Sequence, residues 1–197
     1  MSLNVVVGPM KSSKTSWLIS KITLHVDIQK SAKCLIINST KDDRDPKNII
    51  SCHSSSYRGI SPKIAIQSVE SLSESEIDYY DIIGINEAQF FDDLHDFVKL
   101  LLSKQKHIYV SGLDSDFMGE SWGHISELLY LADEFHKVRT LCAKCMENNN
   151  DNCLDNVNRA SFTAKLNGTN NIIEIGADIY APMCRIHHKE SLNKWKK

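Results

Sequence analysis

The stretch Gly8-Pro9-Met10-Lys11-Ser12-Ser13-Lys14-Thr15, directly behind the β-branched run Val5-Val6-Val7, constrains this chain more than any other. A short apolar strand, a turn of small and polar residues and then a helical pattern is the layout of a phosphate-binding loop, G-x-x-x-x-G-K-[ST]. In such a loop the backbone N–H groups face inward and cradle phosphate oxygens at the positive end of the following helix. The lysine reaches the outer phosphates and the hydroxyl residue ligates Mg²⁺; Lys14 and Thr15 stand at those two places, and Ser13 stands where the second glycine belongs. With one glycine missing, the match also fits a surface strand-turn-helix of no special use, so the rest of the chain has to decide.

The order of the following segments predicts the architecture. Lys14 to about Gln29 places Trp17, Leu18, Ile22 and Val26 on one helical face. Lys33–Asn38 reads as a buried strand, Lys63–Ile66 as a short one, Val69–Ile77 as a short acidic helix, and Tyr79–Ile85 as a second clear buried strand. Leu94–Leu102 has helical periodicity, His107–Leu113 reads as a strand, and Trp122–Ala132 again reads as helical. Strands alternating with helical segments predict an α/β fold with a parallel sheet covered on both faces, and ligands then sit at the carboxyl ends of the strands. Three polar clusters follow strands, at 8–15, 41–44 and 86–91, and converge on that edge in such a fold.

From about Phe135 the character changes, and the boundary between a first domain, 1–139, and a second, 140–197, falls there. Cys142-Ala143-Lys144-Cys145 and Cys184-Arg185-Ile186-His187 are two knuckles of the spacing that a tetrahedral zinc site needs. Four protein ligands leave no open coordination position, so the metal is read as a structural staple; His188 is the alternative fourth ligand. The Asn-rich stretch 148–152 reads as an exposed loop, and Ile172–Ile175 as a strand. Cys34 lies in a buried strand, where cysteine acts as a small apolar residue.

Several residues at the ligand edge have two readings each. Glu87, after a buried strand and beside Asn86, suits a general base or a group orienting a water on Mg²⁺; otherwise it complements a helix dipole. Arg44, in the loop after the second strand, can stabilise charge on a transferred phosphoryl group, or be a solvated arginine. Met10, Phe90, Phe117, Trp122 and Tyr180 can wall a flat aromatic ligand or pack the core.

Composition narrows the classes. With 197 residues, 42% hydrophobic, 24% charged and a net charge of -2, the chain reads as an ordinary soluble globular protein. No long Lys/Arg stripe supports nucleic-acid binding, no apolar run has the length to cross a bilayer, and the N-terminus shows no secretory pattern. A reducing, cytoplasmic setting is expected, in which a Cys-x-x-Cys pair is metal-binding and not a disulfide.

Together the elements resemble the zinc-containing, P-loop type of thymidine kinase, cellular and poxvirus-like. The resemblance rests on Gly8-Pro9-Met10, Lys14-Thr15, Lys41-Asp42-Asp43-Arg44, Glu87-Ala88-Gln89-Phe90-Phe91 and Leu113-Asp114-Ser115-Asp116-Phe117. It continues through Cys142-Ala143-Lys144-Cys145, Ala160-Ser161-Phe162-Thr163 and Gly176-Ala177-Asp178-Ile179-Tyr180. It implies a RecA-like P-loop sheet with a small zinc-binding domain, and transfer of the γ-phosphoryl of ATP to the 5′-hydroxyl of thymidine for deoxynucleotide salvage. By the same resemblance Glu87 takes the hydroxyl proton, Lys14 and Arg44 steady the phosphates, and Thr15 and Asn86 serve Mg²⁺. The base lies against Met10, Phe90, Leu113, Phe117 and Trp122. It is read by Thr163 and by a lasso loop, about Leu166 to Tyr180, that contributes Ile175, Gly176 and Tyr180. A homotetramer inhibited by thymidine triphosphate is also implied. The chain departs from the family pattern at Ser13, at Asn86 in place of an aspartate, at His187 in place of a cysteine, and at Lys165, where an arginine is common. Ser13 and Asn86 carry the competing reading, a relative that binds nucleoside or nucleotide with little catalysis.

Overall fold

The computed structural model describes residues 1–29, 31–42, 61–147, 159–169, 171–174 and 178–195. Six strands, β1 (Ser2–Val7), β2 (Cys34–Ser39), β3 (Ile64–Val69), β4 (Ile82–Ile85), β5 (His107–Gly112) and β6 (Glu134–Lys137), form one sheet in the order β3-β2-β4-β5-β1-β6. Every pairing in it is parallel. All six residues of β2 are buried because side chains alternate between two covered faces. Leu35 and Ile37 enter one apolar cluster with Val5, Val110, Leu94 and Val98; Cys34 and Ile36 enter another with Leu18, Ile22 and Val26. Burial, with a smaller contribution from Asp81, pushes the Cys34 thiol up to about 11, so it stays protonated and apolar.

Helix α1 (Lys14–Ile28) covers the second face with Leu18, Ile19, Ile22 and Val26, and α2 (Leu94–Ser103) covers the first with Leu94, Phe97, Val98 and Leu101. The α1 backbone comes close to the sheet at Gly84, where an added Cβ would run into Ile22.

Three segments differ from the sequence reading. The strand at 63–66 continues to Val69, and the helix read over 69–77 shrinks to a 3₁₀ turn, Leu72–Glu74. The Asp93 carboxylate explains this, accepting from the Ser71 hydroxyl and from the N–H groups of Leu72 and Ser73. Burial works against the charge on Asp93, yet these donors hold its carboxyl below the usual range. The segment 122–132 contains only the 3₁₀ turn Ile125–Leu128, whose i, i+3 spacing buries Ile125 and Leu128 together. Residues 172–174 form no strand.

The C-terminal part consists of β7 (Thr140–Leu141) paired antiparallel with β8 (Arg159–Ala160), and β9 (Phe162–Lys165) paired antiparallel with β10 (Tyr180–Met183). Helices α3 (Ala143–Glu147) and α4 (Arg185–Leu192) flank them, and Cys142, Cys145, Ala160, Ala164, Met183 and Cys184 share a third apolar cluster. Among the described residues no helix is long and apolar enough to cross a membrane.

The close approach of α1 to β4 gives a direct test of the packing. Gly84→Val should destabilise the protein by about 1–3 kcal/mol through overpacking against Ile22 and Leu18, read as a lower urea midpoint with an unchanged slope.

Candidate active site and zinc centre

The site lies at the carboxyl ends of β1, β2, β4 and β5, as expected for a parallel sheet. The loop from Gly8 to Ser13 leaves β1 and enters α1. A Cβ on Gly8 would run into the Val138 carbonyl, beyond the end of β6, so the chain passes here only as glycine. Lys11 and Ser13 both have positive φ, 59° and 62°. Left-handed backbone costs a non-glycine residue roughly 1–2 kcal/mol, so the missing glycine leaves the loop's shape intact and its strain unrelieved. Lys14 is buried and its Nζ donates to the Pro9 carbonyl at 2.7 Å; the Ser12 hydroxyl donates to the same oxygen at 2.8 Å.

Asn86, at the end of β4, is only 2% exposed and ties three elements together. Its Oδ1 accepts from the Thr15 hydroxyl (3.3 Å) and the Ser111 hydroxyl (2.9 Å), and its Nδ2 donates to Asn38 Oδ1 (3.1 Å). Asn38 Nδ2 in turn donates to Asp42 at 3.3 Å. A hydroxyl and an amide oxygen at the end of the loop are the hard oxygen donors that Mg²⁺ prefers, so this donor set fits that ion.

The next residue, Glu87, has φ 49° and ψ 45°. A left-handed glutamate is uncommon, and such strain concentrates at functional positions. The Gln89 amide holds the side chain, its Nε2 donating to Glu87 Oε2 at 2.8 Å while its Oε1 accepts from the Leu113 N–H at 2.9 Å. Gly112 makes this possible, because a Cβ there would lie 2.6 Å from Gln89 Oε1. Phe90 and Trp122 meet edge to face at 5.3 Å, so Glu87, Phe90, Leu113 and Trp122 are gathered in one place.

The C-terminal part reaches the loop through Thr163, whose hydroxyl accepts from the Met10 N–H at 3.0 Å. Phe117 is buried and Tyr180 nearly so. The Tyr180 hydroxyl donates to the Ile172 carbonyl and accepts from the Glu174 N–H. Arg44, Ile175 and Gly176 lie outside the described residues. Sequence reasoning missed Asn38, Ser111 and the side-chain role of Gln89; the available signals were the place of the first two near strand ends and of Gln89 in the polar cluster after β4.

The ligating atoms of Cys142, Cys145, Cys184 and His187 lie within 4.8 Å of one another. His187 Nδ1 is 3.3 Å from two sulfurs and 3.5 Å from the third, and Cys145 and Cys184 are 4.0 Å apart. A tetrahedron with zinc–ligand bonds of 2.0–2.3 Å has edges of about 3.5–3.8 Å, so the donor set fits a closed zinc site. Burial opposes the thiolate at Cys142, but donors from Cys184, His187 and Cys145 bring it down to about 7. His188 is not the fourth ligand: its ring stacks on Phe162 at 4.6 Å, and its Nε2 lies 2.9 Å from the Phe117 carbonyl.

A parallel α/β sheet with a left-handed loop running from its first strand into a helix, a strained glutamate nearby and a Cys₃His cluster defines a narrow class of proteins. The sequence model of the family described as thymidine kinase matches residues 1–188. The thymidine kinase of Amsacta moorei entomopoxvirus is 35% identical over 196 residues, covering 97% of this chain and 100% of that protein. Thymidine kinase a of Arabidopsis thaliana is 32% identical over 194 residues (95% and 74% covered), and the thymidine kinase of Myxoma virus (strain Uriarra) is 30% identical over 185 residues (93% of each). This chain belongs to the thymidine kinase family.

Two outcomes test the site. Ser13→Gly should stabilise the protein by about 0.5–1 kcal/mol, the relief of left-handed strain less the added entropy of unfolded glycine, seen as a raised urea midpoint. Elemental analysis of the parent should give one zinc per chain, and Cys145→Ser should abolish it and lower the melting temperature by about 10 °C or more.

Proposed function

We propose that this protein phosphorylates thymidine, forming the bond between the 5′-oxygen and the γ-phosphorus of ATP while the bond to the ADP oxygen breaks. The observation that carries the reading is Glu87, held left-handed beside the phosphate loop with its carboxylate fixed by Gln89. That carboxylate takes the 5′-hydroxyl proton as the oxygen attacks. Lys14, and Arg44 by resemblance, balance phosphate charge. Thr15 and Asn86 would hold Mg²⁺, which would neutralise developing charge on the phosphates. By resemblance thymine lies against Met10, Phe90, Leu113, Phe117 and Trp122 and is read by Thr163, Ile175, Gly176 and Tyr180.

The remaining expectations belong to the same proposal. The separate apolar cluster around the zinc ligands supports a division into a kinase unit, 1–139, and a zinc and lasso unit, 140–197. The outward row of Leu24 and Ile28 on α1, 53% and 72% exposed, suits assembly with other copies, a homotetramer by resemblance. Thymidine triphosphate, the end product of the salvage route, is the inhibitor. A site of three cysteine thiolates and one imidazole, with no disulfide, suits the reducing cytoplasm.

The test is Mg²⁺-dependent release of ADP from ATP and thymidine by the zinc-loaded protein. Glu87→Gln should lower kcat by about 10²–10⁴-fold with little change in either KM. Absence of thymidine-dependent turnover in the parent at any Mg²⁺ concentration would sink the reading.

A further inference from the structure

The least expected side chain in the molecule is Lys165, the last residue of β9. Its side chain is fully buried, 0% exposed, and a buried ammonium persists only where it is paired and hydrogen-bonded. Its Nζ donates to the Asn171 carbonyl at 2.6 Å and pairs with Glu174 at 3.0 Å. Three rings surround it, with Phe117, Tyr180 and Trp195 centroids at 5.2, 5.5 and 5.8 Å, within the reach of a cation–π contact. Trp195 closes this cage, its Nε1 donating to the Lys165 carbonyl and its ring meeting Phe117 edge to face.

What the ammonium grips is the loop after β9. Residues 166–169 and 171–174 belong to no strand, so their backbone groups need other partners. Lys165 takes the Asn171 carbonyl, Tyr180 takes the Ile172 carbonyl and the Glu174 N–H, and Glu174 accepts from the Thr169 N–H and hydroxyl. Residues Thr163 and Lys165 are two apart on β9, so they project to the same side of the strand; the first holds Met10 of the phosphate loop, the second the lasso.

We infer that Lys165, with Glu174 and Trp195, is a latch that sets the conformation of the lasso and thereby the affinity for the nucleoside. This rests on the proposed function, because it takes the nucleoside to be the lasso's ligand. Lys165 is a positioning residue: it acts on the substrate through the loop.

The test is steady-state kinetics of the zinc-loaded Lys165→Met protein with thymidine and ATP varied separately, joined to hydrogen exchange of the lasso amides. The expected result is a rise in KM for thymidine of about tenfold or more. KM for ATP and kcat at saturating thymidine should stay within about threefold, and exchange should quicken in 166–174 beyond any change in β9 and β10. Trp195→Ala should shift the same quantities in the same direction, and it serves as the deciding variant if Lys165→Met does not fold. A folded variant with unchanged KM for thymidine, an equal rise in both KM values, or uniform quickening of exchange overturns the latch. Where the parent shows no turnover, the proposed function falls, while thymidine affinity by calorimetry still decides the latch on the same criteria. A parent that neither turns over nor binds thymidine overturns both.

Discussion

The pairing of one buried amide governs this site. Asn86 brings an oxygen and an NH₂ group to the place where β2, β4 and β5 end, with almost no access to water. Leaving either unpaired would cost about 1–3 kcal/mol, so the structure supplies Thr15, Ser111 and Asn38 as partners. The backbone follows the same demand, the Asn86 N–H donating to Ile37 on β2. With Thr15 tied to Asn86 and Gly8 wedged against Val138, both ends of the phosphate loop are fixed. Six residues must then span the gap, and they do so with Lys11 and Ser13 in left-handed conformations. Strain at Ser13 is therefore a consequence of where the sheet puts Asn86.

Much of this was readable in the sequence, and what was readable is what depends on neighbours along the chain. The β-branched runs at 3–7, 34–37, 82–85 and 108–110 are strands because they are apolar over enough residues to be buried on both faces. The turn from β1 into α1 and the gathering of Cys142, Cys145, Cys184 and His187 were equally legible, both being carried by fixed short spacings. Segments at 69–77 and 122–132 misled because a helical period says nothing about a distant competitor. Asp93 draws off the N–H groups of Leu72 and Ser73, and Gly123 turns with positive φ under the Gln89 backbone, 2.5 Å from its carbonyl by Cβ position. Lys165 could not be read as buried at all, since its partners lie at 117, 171, 174, 180 and 195.

The C-terminal part is joined to the sheet by polar contacts more than by a shared core. Its apolar cluster around Cys142, Cys145 and Cys184 is separate from the two that sandwich the sheet. Thr163 to Met10 and His188 to Phe117 cross between them, along with Lys137, which pairs with Asp114 and lies 5.9 Å from the Phe162 ring centre. These directional bonds, with the Phe117–Trp195 ring contact, hold orientation closely, yet each is small, so the appended strands draw further rigidity from the Cys₃His cluster. A metal held by all four ligands would supply that rigidity without a large core.

The neutral side chain at position 86 also makes sense within its network. Hydrogen bonds run in one direction there: hydroxyls of Thr15 and Ser111 donate to Asn86, Asn86 donates to Asn38, and Asn38 donates to Asp42. The chain ends on a carboxylate that can only accept. A carboxylate at 86 as well would require Asn38 to turn its amide toward β4, presenting its oxygen to Asp42 and setting two acceptors against each other. With Asn86 each of these bonds is made, and the negative charge of the network sits at Asp42, three links away from Thr15. The departure at 86 is thus matched to Asn38 and Asp42 as a set, and its chemical effect is to move charge outward from the phosphate loop while keeping an oxygen in place beside the Thr15 hydroxyl.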